Sequence, residues 1–293
     1  MVRGNISKAL TRRPDRTVRP AQCPAWAPLG RALQDFWANG STSELPPLLY
    51  WSNLRSEPEE LPPALFFRRP AEMPPVERYA LDLCRQQGGR ILDVGAGAGS
   101  HVLALQSQGL HVDAIDICPG AVEVMRSRGI AARQGSFWKL GPERYDTLLM
   151  LMNTAGASGD VRSFQKLLQK LKEHLTPQGQ ILLDVSPPDW MALRRARRTR
   201  RTRIPEEQVQ EGQWAMLNCW LSYGQMEGES FFMLYPEPQV AVQLAKLAGY
   251  EATVAYRDPQ SQHALLKMRP ELKTQALTEQ AKGSFAPMIG QSG

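Results

Sequence analysis

At 293 residues and 42 % apolar content, the chain can hold one sizeable α/β domain with extensions or two small domains, and no apolar run approaches the ~20 residues that cross a bilayer. Its formal charge of +6 is concentrated in two places: residues 194–203 hold seven arginines, and residues 1–20 hold six basic side chains against one acid. Without these segments, which carry +7 and +5, the remaining residues sum to −6, so the body is mildly acidic rather than shaped all over for nucleic acid.

Residues 1–27 form a basic, Arg-rich stretch without the apolar core of a secretory signal, and little apolar periodicity argues for a disordered leader. The four cysteines, Cys23, Cys84, Cys118 and Cys219, show no metal-type pairing and read as reduced thiols of a cytoplasmic protein, with no metal site. From Pro28, the residues Leu29, Leu33, Phe36 and Trp37 recur on one helical face, which Asn39-Gly40 ends. Residues 44–75 are broken by prolines yet apolar at Leu48–Trp51 and Leu65–Phe67, so they read as an irregular cap over the domain; the cap as a whole spans 28–75. Pro74-Pro75 opens a helix that Gly88-Gly89 ends.

The next stretch, Ile91 to Leu105, reads as a short buried strand, a turn with glycine at every second position, and the start of a helix. Glycine admits positive φ and lets a ligand approach the backbone, and free helix N–H groups point into the same space. Asp93, two residues before Gly95, would repel a pyrophosphate and attract an ammonium or sulfonium. A second strand runs from His111 to Asp116-Ile117, with an acid at its carboxyl end. Pro119 opens a helix closed at Gly129, and a third strand leads into Gly135-Ser136-Phe137. The almost wholly apolar run Tyr145–Met152 is a strand buried on both faces. Asp160 caps an amphipathic helix through Leu175, and Thr176–Gly179 turns into strand five, Gln180–Val185. Between 186 and 235 the alternation lapses into an Arg-rich insertion and a hairpin, Trp214–Tyr223 with Ser230–Tyr235, added to the sheet or lying across its top edge. Pro236–Ala248 is helical, two short strands follow with the last antiparallel, and residues 270–293 form a polar tail.

The segment Leu92-Asp93-Val94-Gly95-Ala96-Gly97-Ala98-Gly99 resembles motif I of the class I S-adenosylmethionine-dependent methyltransferases. The resemblance extends over about residues 65–268. It includes Asp116 at the end of strand two, Pro177–Leu183 at the turn into strand five, and, as in one bacterial branch of these enzymes, Phe67-Arg68, Glu72-Met73-Pro74 and Met152-Asn153-Thr154-Ala155-Gly156. It implies an α/β fold: a Rossmann-like, doubly wound, seven-stranded sheet, mostly parallel with an antiparallel last strand, plus an N-terminal cap and a β-hairpin insertion. The methyltransferase domain would cover 76–269, with its insertion at 186–235. The resemblance implies S-adenosylmethionine as cofactor, with Asp93, Gly95, Ala96, Gly97 and Gly99 at the methionine moiety and Asp116 on the ribose. Ile117 would lie against the adenine, Ser136 and Phe137 at its edge, and Met152 at the end of strand four. Where that family usually carries an acid, this chain has Ser136, which leaves the adenine amino contact to backbone groups; where the branch commonly has glycine, it has Thr154. A nicotinamide enzyme is the competing reading of the glycine turn, but it would set Asp93 against a phosphate, and the sequence holds no Tyr-x-x-x-Lys pair.

Methyl transfer from a sulfonium is a direct displacement, in which alignment can supply ~7–11 kcal/mol and a general base ~10²–10⁴-fold. Asn153 is the candidate catalytic residue, able to accept from an amine or position a hydroxyl, or else to organise its loop. Arg68, Asp189 and Tyr223 are the candidate substrate contacts, Arg68 facing the cofactor carboxylate or pairing with Glu72. Asp184 flanks the end of strand five, and His101 reads as a capping or packing residue. The expected acceptor is a small molecule, attacked at O, N or C. The alternatives are RNA or protein docked through Arg194–Arg203, and a protein that binds the cofactor without catalysis.

Overall fold

The computed structural model describes residues 23–40, 45–199 and 204–271, the side chains of 197–199 excepted. Most of the leader and tail expected from the sequence therefore lies outside the described residues. In chain order the elements are α1 (Ala27–Asn39), β1 (Leu48–Ser52), β2 (Glu59–Glu60), α2 (Pro75–Gln87), β3 (Arg90–Val94), α3 (Ser100–Gln106), β4 (His111–Asp116), α4 (Pro119–Ser127), β5 (Ala132–Gln134), β6 (Tyr145–Met150), α5 (Val161–Lys172) and β7 (Leu175–Val185). They continue with α6 (Trp190–Thr199), β8 (Val209–Gln210), β9 (Trp214–Tyr223), β10 (Met226–Glu227), β11 (Phe231–Pro236), α7 (Pro238–Leu247), β12 (Tyr250–Arg257) and β13 (Ala264–Pro270).

Seven strands form the main sheet in the order β12-β13-β7-β6-β3-β4-β5. The four pairings from β7 to β5 are parallel, and β13 lies antiparallel between β7 and β12. This is the doubly wound, mostly parallel sheet the sequence predicts. Its central strands are apolar on both faces because both are covered. Leu148 and Met150 of β6 pack with α5 and α7, whereas Leu149 and Leu151 pack with α2 and α3. Asp160 begins α5 by accepting from the Ser163 N–H at 2.8 Å, a cap that contributes about 1 kcal/mol. The strand order switches direction between β3 and β6, both parallel to each other, and ligands of such sheets bind outside the carboxyl ends at that point.

Two expectations are corrected here. The stretch 44–75 is not wholly irregular: Leu48–Ser52 is a strand, paired antiparallel with β9 from Leu48↔Tyr223 to Ser52↔Cys219. The hairpin β9–β11 is not added to the main sheet: with β1, β2, β8 and β10 it makes a second, antiparallel sheet, and it lies at the top edge, where β11 packs on the turn after β6. Cap and insertion are thus one layer, invisible to local reading because its two halves are some 170 residues apart in the chain. Alternation along β9 sends Ala215, Leu217, Cys219, Leu221 and Tyr223 to the buried face. Leu221 and Tyr223 pack with Leu29 and Leu33 of α1, which rests on Ala121 and Val124 of α4, while Ala215 and Leu217 pack with Leu193 and Ala196 of α6. The first part of the arginine run, read as a solvated insertion, therefore belongs to a helix with a buried apolar side.

Candidate active site

The carboxyl ends of β3, β4, β6 and β7 bring four turns together. After β3, Gly95 and Gly97 take φ of 76° and 57°, left-handed values that favour glycine. Space is as restrictive as φ: a Cβ on Gly95 would lie 2.6 Å from Thr154 Cγ2, and one on Gly97 would lie 2.9 Å from the Phe66 ring. The glycine turn is thus wedged between the turn after β6 and the cap. Ser100 Oγ donates to the Phe66 carbonyl at 2.6 Å and fixes the cap from the other side.

Asp116 ends β4 and braces this turn. One carboxylate oxygen accepts from the Gly97 N–H and the other from the Cys118 N–H, both at 2.8 Å. Burial pushes its carboxyl above the ordinary range, and the backbone donors pull it back in part. Each oxygen keeps a further lone pair for a ligand hydroxyl. Beside it, Ile117 is 50 % exposed, an apolar side chain at a strand end with nothing described over it. Ser136 accepts from the Trp138 N–H at 3.2 Å and caps the short turn through Phe137, which packs against the main core.

Asp93 lies deeper, 1 % exposed, and its Oδ2 has no hydrogen-bond partner. Burial, reinforced by the charges of Asp116 and Glu77, pushes its carboxyl up to about 6, against the opposing pull of His101. The His101 Nδ1 is 3.9 Å from that oxygen, and its Nε2 is 2.9 Å from Glu77 Oε2. Burial alone would lower the imidazole, but Glu77 and Asp93 hold it above its ordinary value. Glu77, 3 % exposed, also receives Arg68 Nη2 at 2.8 and 2.9 Å, and its two cationic partners hold it below the ordinary range against the cost of burial. Three buried carboxylates therefore face two cations. An orphaned carboxylate oxygen in such a net-negative cluster fits an ammonium or sulfonium, and the ribose-ready Asp116 beside exposed Ile117 fits the nucleoside attached to it.

The turn after β6 carries the remaining peculiarity. Met152 and Asn153 are consecutive non-glycine residues at positive φ, 59° and 56°, a conformation that costs on the order of 1–3 kcal/mol each. Asp184, fully buried at the end of β7, accepts from the Met152 N–H at 2.8 Å and the Asn153 N–H at 2.6 Å. The Asn153 side chain is 7 % exposed, and neither Oδ1 nor Nδ2 has a partner. An amide desolvated on both ends is costly unless something occupies it.

The expected substrate contacts fare differently. Arg68 pairs with Glu77, not with Glu72, which instead holds Arg69 at 2.8 Å; its Nη2 also lies 3.8 Å from Met152 Sδ. Tyr223 is 5 % exposed and donates to Asp35 at 3.1 Å, its hydroxyl pushed up to about 12 by burial and that carboxylate. Asp189 accepts from the Ala192 N–H and lines a cleft of about 140 Å³ between the second sheet and the loop after β7, together with Tyr50, Arg55, Glu57, Glu59 and Tyr235. In the arginine run, Arg194 pairs with Glu211 at 3.1 Å; the side chains of Arg197 and Arg198, and residues 200–203 altogether, lie outside the described residues. Glu77 and His263, the latter placed 3.0 Å from Asp184 Oδ2, had no sequence signal beyond being titratable residues among apolar neighbours.

Fold and site together define an α/β protein whose doubly wound sheet carries a cluster of buried carboxylates at its carboxyl ends. The sequence matches the methyltransferase-domain family over residues 50–253, and the chain belongs to the class I S-adenosylmethionine-dependent methyltransferases. A methyltransferase from Bacteroides fragilis, solved in complex with S-adenosyl-L-homocysteine, is 31 % identical, with 87 % of this chain and 99 % of that chain covered at a TM-score of 0.70. The CcbJ methyltransferase from Streptomyces caelestis shares the fold at 14 % identity, covering 84 % and 99 % of the two chains with a TM-score of 0.54. No curated protein matches the sequence. The protein is thus an enzyme, with S-adenosylmethionine as its methyl donor. No helix among the described residues is long and apolar enough to cross a membrane.

Proposed function

We propose that this methyltransferase acts on a small molecule that enters between the second sheet and the carboxyl ends of β6 and β7. The observation that carries the proposal is the Asn153 amide, buried with both polar atoms unpartnered at the strand end where the acceptor must stand. The second sheet roofs this side of the domain, and a cleft opens between it and the loop after β7. Asp189 is the acceptor contact that lines the cleft. Arg68 and Tyr223 shape the site through Glu77 and Asp35 rather than by free polar groups.

When bound, S-adenosylmethionine supplies an electrophilic methyl carbon and a neutral thioether leaving group. Asp93 and the backbone at Gly95, Ala96, Gly97 and Gly99 hold the methionine moiety, and Asp116 takes the ribose hydroxyls. Ile117 covers one face of the adenine, with Ser136 and Phe137 at its edge. Met152 would complete the cofactor site at the carboxyl end of β6. Asn153 Oδ1 accepts from an acceptor amine, or Nδ2 donates to an acceptor hydroxyl, and so orients the nucleophile; orientation of this kind is the main resource of a direct displacement. The four cysteines are unpaired and three of them are buried, which suits a cytoplasmic, reducing setting. In a cell extract incubated with methyl-labelled S-adenosylmethionine, label is expected in the low-molecular-weight fraction. Label confined to RNA or protein would overturn the small-molecule reading.

A further inference from the structure

Nothing in a methyl transfer requires a turn made of two left-handed non-glycine residues, yet the chain places one beside the cofactor loop. Thr154, the next residue, fills the space that a Cβ on Gly95 would need, so any drift of this turn is transmitted to the glycine loop on one side and to the Asn153 amide on the other. What opposes the strain is a single carboxylate. Asp184 has no solvent exposure, and each of its oxygens receives one N–H of the strained pair. A fully buried carboxylate needs a cationic partner. His263 provides one by charge rather than by an aligned hydrogen bond: it stands just before β13, whose Leu265 pairs with Asp184 in the ladder, and its Nε2 lies 3.0 Å from Asp184 Oδ2.

We infer that Asp184 and His263 are positioning residues of this enzyme: the pair clamps the Met152–Asn153 turn from the neighbouring strands and thereby aims the Asn153 amide at the acceptor. The inference rests on the assignment of Asn153 to the acceptor made above. Neither residue touches the reacting atoms; both act through the backbone of the turn. His263 also feels Asp258 from its own loop and Glu77 from α2. Burial lowers the imidazole, but Asp184 and these charges raise it more, so it stays protonated above its ordinary value of 6.5. The clamp accordingly holds below the imidazole's folded pKa and loosens as pH rises through it.

The test uses the full chain, 15N-labelled and saturated with S-adenosylhomocysteine. The amide proton signals of Met152 and Asn153 are expected at low field and to shift together with one midpoint above pH 6.5. In His263→Gln, which has no proton to lose, that midpoint vanishes while amide signals away from the turn keep their wild-type positions, which separates loss of the clamp from loss of the fold. In Asp184→Asn, exchange of the two amides accelerates about tenfold or more as their acceptor is lost. A midpoint that survives in His263→Gln, or amides that do not respond to pH in the wild-type protein, would overturn the clamp. A clamp that behaves as described, with methyl transfer unaffected in Asn153→Ala, would instead overturn the acceptor assignment alone.

Discussion

The two halves of the site are built on different principles. The donor half is local: β3, its glycine turn and β4 lie within 27 residues, and the Asp116 carboxylate that ends β4 braces the turn through the Gly97 N–H. The acceptor half is assembled from afar. Its roof pairs β1 with β9, and its floor joins β6, β7 and the residue before β13 through Asn153, Asp184 and His263. The donor half therefore fixes what is bound, and the acceptor half has freedom to change what is methylated without touching the motif.

The sharpest break between the halves should come from Asp93→Asn. Loss of the buried charge is expected to weaken S-adenosylmethionine binding about 10²-fold by calorimetry, on the scale of a hydrogen bond to a charged group. The same variant should stabilise the apoprotein by on the order of 3 kcal/mol at pH 7, because the folded carboxyl titrates near 6 rather than at 3.8. A raised folded pKa means that this carboxylate destabilises the native state above pH 6, and that the burden lifts as pH falls toward 4. Denaturant unfolding across that window checks the sign.

Next in size is Leu221→Ala, which opens a cavity where the second sheet meets α1; Leu221 is 1 % exposed. A cost of ~2–4 kcal/mol is expected, with S-adenosylhomocysteine affinity within about threefold. A large loss of affinity would mean that the second sheet shapes the donor half as well. Asn153→Ala should divide the halves functionally, lowering methyl transfer to the acceptor by about tenfold or more as orientation is lost while leaving cofactor affinity nearly unchanged. The smallest effect belongs to Arg194 and Arg195. Replacing both by Gln should change labelling of the low-molecular-weight fraction by less than about twofold, as expected for an exposed ion-paired surface.

The same division explains what the sequence made legible. The alternation of parallel strands with helices along the chain, the cap of α5 by Asp160 and the placement of Asp93, Asp116 and Ile117 at strand ends all follow from local periodicity and turn chemistry. The second sheet does not, because a strand of five residues among prolines has no local signature until its partner, β9, is known. Arg68 illustrates a subtler failure: Glu72 is nearer in sequence, but Arg69 takes it, and α2 turns Glu77 toward Arg68 instead. Asp184 could be located at a strand end from the sequence alone; that it spends both oxygens on the neighbouring turn could not.

The account depends on one carboxylate attracting one cation. Calorimetric titration of S-adenosylmethionine and of adenosine, which shares the nucleoside but carries no positive charge, should be run between pH 5 and 7.5. Affinity for S-adenosylmethionine should fall by up to about tenfold per unit below pH 6 as Asp93 takes up a proton, while adenosine binding stays level and the difference disappears in Asp93→Asn. Parallel pH profiles for the two ligands, or a wild-type profile retained in that variant, would contradict it.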